Sequence, residues 1–515
     1  MKADVLIIGA GPVGLTMAVE LARYGVSVRI VDKAARRREQ SRAIVIWSRT
    51  VELLDRAGCG PELLAAGMKV IAANIIAGGK TLSRIDLGGV DNARSFALML
   101  SQSETERMLE ERLNGLGVQV ERGVELTTFA VKATHGVVAT LCLSDRSVQK
   151  VESLWMIGCD GAQSKVRQGL RMVFTGDAQP SRWFMADVRL SGEREPGEID
   201  LSLHSDGLLA ILPINRDLCR VMADVGPSVT GKEATDPTLS ELQALLDSRG
   251  CQGITAFDPE WLASFHSNER KVAKYRAGRI FLAGEAAHVH SPTGAQGLNI
   301  GIQDAVNLAW KLALVCNRIC PEEPLLDSYH SERSAVCDQI LKNSSKLKPI
   351  AILRGEVKQS VSNRIASLLF GVASASNATG DEVTEIDYPD SLLTAQGSSF
   401  RSGPMPGEMA PIRKGELPFG AGDRPRFALC AGVSTRKDEA PNLVEVYKDI
   451  LEQEVRAPFA DGGLWLVRPD GYVALSAGRN DWDKVAAYLD QIHRGRRLMR
   501  GAAMLPTWMR PREAS

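Results

Sequence analysis

The chain has 515 residues, carries 62 Lys and Arg against 62 Asp and Glu, and is 44% hydrophobic. The zero formal charge excludes a global field that would draw it to nucleic acid or an anionic membrane, and the length predicts two or three domains with cores that need no staples. Nine cysteines without a C-x-x-C pair fit a reducing compartment, and no stretch beyond the N-terminus, itself interrupted by Asp4 and Glu20, approaches the roughly 18–20 apolar residues of a membrane span, so the expected location is the cytoplasm.

Residues 3–8 are nearly all apolar and read as a parallel strand covered on both faces. Gly9 to Gly14 form a turn, Thr16 to Tyr24 a helix stopped by Gly25, and Val26 to Val31 a second strand ended by Asp32. Arg36, Arg37 and Arg38 read as a solvated loop. Ser103 and Glu106 make an S-x-x-E capping box that opens a helix through Leu113. Strands are expected at 118–121, 137–143 and 154–159, the last ending at Asp160-Gly161. From 174 to 265 short apolar runs between polar turns (185–190, 208–213, 219–225) predict an antiparallel sheet of a different kind, with a helix at 239–246. Residues 279–283 return to buried-strand character. A Gly-rich segment then leads to a helix from Ile302 to Ile319, and helical texture continues to about residue 375. Cys316 and Cys320 share a helical face and are expected to be small buried apolar residues rather than part of a zinc site. Residues 376–403 look like a linker. Strands at 427–434, 464–467 and 472–476 and a helix from Trp482 to His493 make a small C-terminal α/β domain.

Three motifs carry chemistry. The first is Gly9-Ala10-Gly11-Pro12-Val13-Gly14, which follows a strand, opens a helix and precedes Asp32 at the end of the next strand. That is the dinucleotide fingerprint: the first glycine permits the turn, the second lets a pyrophosphate approach, and the third lets helix and strand pack. The phosphates would lie at the helix N-terminus, and Asp32, with Lys33 beside it, would hold an adenosine ribose. The second motif, Gly158 to Ala162, is by itself equally well a turn. The third is Gly284-Glu285-Ala286-Ala287-His288 followed by Pro292 to Asn299, a strand leading into Gly-rich backbone and a helix start suited to a delocalised anion. His288, His290 and Glu285 mimic metal ligands but lack a partner cluster, so no metal is expected. His204 and Asp206 read as a strand-end turn because Gly207 follows. There is no G-x-S-x-G elbow.

In this order the three motifs resemble the class A flavoprotein aromatic hydroxylases, the para-hydroxybenzoate hydroxylase fold. The ending Leu464 to Val473 resembles the C-terminal thioredoxin-like domain of the polyketide and phenol hydroxylase branch. The resemblance implies an α/β fold: an FAD-binding Rossmann-like domain of the GR2 type, an inserted antiparallel-sheet substrate domain, and the thioredoxin-like domain. The implied boundaries are 1–175 and 276–395 for FAD, with an excursion near 70–98, then 176–275 for substrate and 396–515 for the tail. It implies FAD, NADPH or NADH as a transient reductant without its own Rossmann domain, O2, and a small phenolic or polyketide-like aromatic substrate hydroxylated through a C4a-hydroperoxyflavin, in a monomer or homodimer. Residue by residue, it puts Arg42 and Gln102 near the flavin, with Arg42 helping it swing, and Asp160 and Gly161 near both FAD and the route of the reductant. It also puts Gly284 and Glu285 (where the family usually has Asp) on the ribityl or pyrophosphate. The resemblance further implies that Pro292 lies against the flavin where oxygen reacts, with Gly294, Gly297, Leu298 and Asn299 around the ring. Pro292 and Arg42 are the residues expected to bear on catalysis. Trp183, Phe184, Met185, Leu208 and Leu212 suggest a partly apolar substrate pocket, and Cys430, alone in the tail, implies no thiol chemistry. Baeyer–Villiger oxygen insertion on the same scaffold, or a non-catalytic flavin-binding protein, are the alternatives.

Overall fold

An apolar run such as Ala3–Ile8 must be covered on both faces, and the fold places it accordingly. The computed structural model describes residues 3–37, 43–87, 96–132, 136–227, 236–251, 253–290, 296–351, 386–396, 400–413, 415–432 and 439–494. Strand β1 (Ala3–Ile8) runs between two parallel neighbours, β2 (Val28–Asp32) and the strand Val148–Gly158, with Ile8 opposite both Val31 and Gly158. Val5, Leu6 and Ile7 are completely buried. Val120–Arg122 extends the parallel sheet beyond β2, and Ile280–Leu282 extends it beyond Val148–Gly158.

Helix α1 (Pro12–Arg23) starts four residues before the expected Thr16. Pro12 sets the first helical φ and gives up an N–H that has no intrahelical partner anyway, so the turn closes directly into the helix. The helix Gly297–Cys316 likewise begins ahead of the expected Ile302. Its glycine lets it approach α1: a Cβ on Gly301 would lie 2.6 Å from Val13 Cγ2. Cys316 ends this helix and Cys320 lies beyond it, so the two do not share a helical face; both are free thiols. The helix Gln102–Gly115 is capped by Ser101, whose hydroxyl accepts from Glu104 N at 3.2 Å, and not by Ser103 with Glu106.

The second sheet has eight strands. Phe174–Ser191 and Thr255–Val272 form a long antiparallel pair, followed by Leu218–Pro227, Gly207–Pro213 and Glu198–His204. Ala72–Ala77 and Lys80–Asp86 are added at one end and His288–Val289 at the other. One face carries Met185 opposite Met222 and Ala263, and this face turns toward the first sheet's loops.

The C-terminal segment holds three antiparallel strands, Ala428–Ala431, Gly463–Val467 and Val473–Gly478, and the helix Trp482–Arg494. Within the expected linker, residues 386–396 are packed rather than loose: Tyr388 and Leu393 are buried, and Tyr388 Oη accepts from Arg333 Nη1 at 2.8 Å. Residues 352–385 fall outside the described residues, as does the end of the expected helical stretch.

Candidate functional site

The glycine loop shows three different uses of a missing side chain. Gly9 has φ +102°, and a Cβ there would lie 2.4 Å from Cys159 O on the neighbouring strand. A Cβ on Gly14 would lie 1.9 Å from Gly9 O. Both are forced by packing. Gly11 is the opposite case: its backbone is extended (φ −75°, ψ −176°) and nothing lies within 4 Å of its absent Cβ. The space kept open there adjoins the N–H groups that start α1, where an anion is favoured.

Asp32 braces this loop from the end of β2. Its Oδ2 accepts from Ala10 N and its Oδ1 from Ala34 N, both at 2.7 Å. Lys33, Arg36 and Arg37 line the same space, so the arginine run is part of the cavity wall and not merely a solvated loop. Arg38 is outside the described residues, and so are Arg42, Pro292 and Gly294. Gln102 donates from Nε2 to Glu106 Oε1 at 2.8 Å, and both line the cavity. Burial raises the Glu106 carboxyl above its ordinary range, against the pull of Gln102 and Arg122.

At the third motif the assignments divide. Glu285, Gly297 and Leu298 line the cavity. Gly284 (φ +60°) is a packing glycine, its absent Cβ 2.8 Å from Val13 Cγ2. Asn299 is not part of the cavity wall. Its buried side chain accepts from Trp47 N at 2.9 Å and donates to Val45 O at 3.0 Å, tying the helix Gly297–Cys316 to the strand Val45–Trp47. Asp160 and Gly161 line the cavity, but Asp160 is occupied as a helix cap: its carboxylate accepts from Ser164 Oγ at 2.5 Å and Lys165 N at 2.6 Å. Burial raises its pKa and those hydrogen bonds oppose the rise.

His288 is buried with Nε2 2.6 Å from Asp304 Oδ2. Asp304 also accepts from Arg333 Nε at 2.6 Å and Gly284 N at 3.0 Å. Burial alone would raise the Asp304 pKa, but His288 and Arg333 hold it down to about 2. His288, His290 and Cys337, without Glu285, bring one donor atom each within 4.8 Å of one another.

Beyond the loops, one continuous cavity of about 720 Å³ reaches the second sheet. Met185, Leu212, Met222 and Phe265 form its apolar wall, with Asn268, Arg270 and His290 as polar members. Of the five expected pocket residues only Met185 and Leu212 line it; Trp183 and Phe184 are core, and Leu208 packs elsewhere. Met222 and Phe265 were not anticipated, because they are brought beside Met185 by strand pairing that no local pattern announces. His204 and Asp206 do form a hairpin turn, with Asp206 N donating to His204 Nδ1 at 3.2 Å. The donor-rich loop with its open cradle, continuous with an apolar wall, suits a dinucleotide carrying a planar ring system.

Comparison with known proteins gives the same picture. Residues 2–344 match the family described as an FAD binding domain. The chain is 33% identical over 540 aligned residues to 6-methylpretetramide 4-monooxygenase of Streptomyces rimosus, covering 95% of this chain and 93% of that protein. Among solved structures it is similar to the anhydrotetracycline hydroxylase OxyS from Streptomyces rimosus (TM-score 0.73, 26% identity, 96% of this chain and 99% of that one). It is also similar to CabE, an aromatic hydroxylase from angucycline biosynthesis (TM-score 0.71, 25% identity, 95% and 99%).

Proposed function

The chain belongs to the FAD-binding family of flavin-dependent monooxygenases, and from that premise we propose that it hydroxylates a phenolic, polycyclic aromatic substrate of polyketide type, using NADPH or NADH and O2. The observation that carries this reading is the single cavity that joins the open cradle at Gly11 to the apolar wall of Met185, Leu212, Met222 and Phe265. Cofactor and substrate then share one space, as oxygen transfer to a ring requires.

Bound FAD supplies the redox chemistry and the activation of oxygen. In this reading Gly9, Gly11, Pro12, Val13 and Gly14 receive its pyrophosphate, with Asp32 and Lys33 at the adenosine. Gln102, Gly161, Glu285, Gly297 and Leu298 surround the remainder, while Asp160, Gly284 and Asn299 hold the backbone that forms the walls. Arg42, Pro292 and Gly294 are assigned to the flavin on sequence resemblance alone. The proposed division is 1–175 with 276–395 for FAD, 176–275 for substrate, and 396–515 as a thioredoxin-like unit without thiol chemistry, in a cytoplasmic monomer or homodimer. No helix among the described residues is long and apolar enough to cross a membrane.

The test is NADPH and NADH oxidation by the FAD-loaded protein with a panel of single-ring phenols and hydroxylated polycyclic aromatics, with product mass read alongside. Strong stimulation with a product one oxygen heavier and a new ring hydroxyl supports the reading. A ring ester moves it to Baeyer–Villiger insertion. Bound FAD that no aromatic compound causes to be reduced faster would sink it.

A further inference from the structure

Two imidazoles and a thiol meet where the third motif packs near the helix Leu325–Ala351. His288 opens the short strand His288–Val289, and His290 follows it directly. Residues two apart on an extended chain face the same side, and the two ring centroids lie 4.9 Å apart. The pattern around these histidines shows no third ligand. The fold supplies one: the helix brings in Cys337, 47 residues beyond His290.

His290 Nε2 lies 3.0 Å from His288 Nδ1 and 3.9 Å from Cys337 Sγ, and the three residues bring one donor atom each within 4.8 Å of one another. A zinc ion bonded tetrahedrally to nitrogen at about 2.05 Å and to sulfur at about 2.3 Å sets N···N at about 3.4 Å and N···S at about 3.6 Å. Each of the two measured spacings therefore has to change by less than about 0.5 Å.

The groups around the donors are those a bound cation needs. His288 Nε2 lies 2.6 Å from Asp304 Oδ2. A carboxylate can only accept, so His288 carries its proton on Nε2 and its Nδ1 lone pair faces His290. Asp304 is fixed in turn by Arg333 Nε and Gly284 N. A carboxylate that orients a histidine in this way is the common support of a metal-bound imidazole. His290 Nδ1 is buried without a partner, so nothing pins that ring's proton to Nε2. The ring can carry the proton on Nδ1 and offer Nε2 as a ligand. Tyr275 adjoins Cys337 and its ring stacks on His288 at 6.0 Å. Its Oη is also buried without a hydrogen-bond partner, a donor that a Cys337 thiolate would take up.

We propose that His288 Nδ1, His290 Nε2 and Cys337 Sγ bind a divalent zinc ion, with water in the fourth position. Two imidazoles and a thiolate suit zinc and disfavour calcium or magnesium, which take oxygen ligands. The Cys337 S–H bond breaks, its electron pair forms the bond from sulfur to zinc, and the proton leaves to solvent. Nothing is oxidised or reduced. Burial pushes the free thiol up to about 12, so it stays protonated until the cation arrives. Nearby charges are already matched, Arg333 by Asp304 and Lys271 by Asp338 at 2.6 Å, so none stands against the ion alone. His290 lines the cavity, which is the ion's way in and the source of its water. Once bound, the ion joins the third motif to the helix Leu325–Ala351 at the cavity wall. The inference does not depend on which aromatic compound is the substrate.

The experiment uses tag-free, FAD-loaded protein, stripped of metal with a chelator and with its thiols kept reduced, and Co2+ as the probe. Tetrahedral cobalt absorbs to the red of the flavin, and a cobalt–thiolate bond adds a charge-transfer band in the near ultraviolet, read as a difference spectrum. One equivalent of Co2+ should produce both features, and one equivalent of Zn2+ should abolish them. Cys337→Ser should lose the thiolate band, and both it and His290→Ala should bind Co2+ at least about tenfold more weakly. Cys142→Ser, at a thiol outside the site, should bind like the parent. Flavin content and melting temperature confirm that each variant is folded. A parent protein that shows no red bands with Co2+, or bands that Cys337→Ser and His290→Ala leave unchanged, overturns the proposal. Either result leaves the monooxygenase reading intact, because that reading is tested by NADPH oxidation and product mass.

Discussion

Exchanging Gly11 for alanine separates the two tasks of the phosphate loop. The Gly11 backbone at φ −75° and ψ −176° is open to any residue, and the new methyl group would meet nothing within 4 Å. The lower entropy of the unfolded chain favours the variant by about 0.4–1 kcal/mol, and alanine's poor N-capping costs a comparable amount, so the apoprotein should change by less than about 1 kcal/mol. In the proposed reading the methyl group stands where the pyrophosphate approaches. Displacing the phosphate, or the loop, costs roughly 1–3 kcal/mol, which weakens FAD by about 5- to 150-fold. Gly14→Ala is the counter-case: its Cβ would lie 1.9 Å from Gly9 O, a backbone atom that cannot step aside. That variant should lose at least about 1–3 kcal/mol with no ligand present. Thermal unfolding of the FAD-stripped proteins by circular dichroism, with FAD titrations read by quenching of flavin fluorescence, distinguishes the two. The reasoning fails if Gly11→Ala binds FAD as tightly as the parent, or if its apoprotein melts as early as that of Gly14→Ala.

Three further outcomes follow from the same geometry. Asn299→Ala orphans Trp47 N and Val45 O, both buried, and should cost about 2–5 kcal/mol in urea unfolding; a loss under about 1 kcal/mol would mean that the bridge is not a brace. Asp304, held from its ordinary 3.8 down to about 2, has a folded pKa below its unfolded one. Its stabilisation is therefore complete above about pH 4 and lost as pH falls toward 2, a term of about 2 kcal/mol. The stability gap between the parent and Asp304→Asn should shrink across that window, and a gap constant from neutral pH downward contradicts the assignment. Met185→Trp narrows the cavity opposite Met222, so polycyclic substrates should lose roughly 1–3 kcal/mol of binding, seen as a raised KM, while single-ring phenols are spared. Equal loss for both classes would show that the wall does not read substrate size.

Some of this was legible in the chain because it depends on local chemistry. The apolar run 3–8, the glycine spacing and Asp32 each have a reason that acts within a few residues. The capping error shows where local rules stop. Ser101-Gln102-Ser103-Glu104-Thr105-Glu106 contains two overlapping S-x-x-E boxes, and pattern alone cannot choose between them. The tie is broken at a distance, because Glu106 lines the cavity with Gln102 hydrogen-bonded to it, which leaves Ser101 to start the helix. Asn299 misled for a related reason. Its place beside Gly297 and Leu298 suggested the ring, but the helix begins at Gly297, and that earlier start turns Asn299 toward a strand 252 residues away in sequence. Arg270 and His290 passed unremarked as cavity residues because a two-residue pairing between strands brings them to one wall.

The tail is the part whose placement was least legible, and its fastening bears on the cofactor site. Helix α1 begins at the phosphate cradle and ends at Arg23, which donates to Gly420 O at 2.9 Å and Gly422 O at 2.6 Å. Arg56 joins Glu20 of the same helix to Pro469 O. Further along, Arg468 pairs with Glu332 at 2.7 Å while Asp470 accepts from Trp310 Nε1 at 3.0 Å, all of them buried. Burial would raise the Glu332 pKa, but Arg468 and Lys311 hold it well below the usual carboxylate range. Such pairs add little net stability when whole, yet removing one partner strands a buried charge at a cost of about 3–5 kcal/mol. The C-terminal segment is thus bound to both helix α1 and the helix Gly297–Cys316, which start at the glycine loop and beside the third motif. Arg468→Met in the tail, far from the cavity, should therefore lower flavin retention by stranding the buried Glu332, read as FAD content after gel filtration, and an unchanged FAD content refutes the coupling.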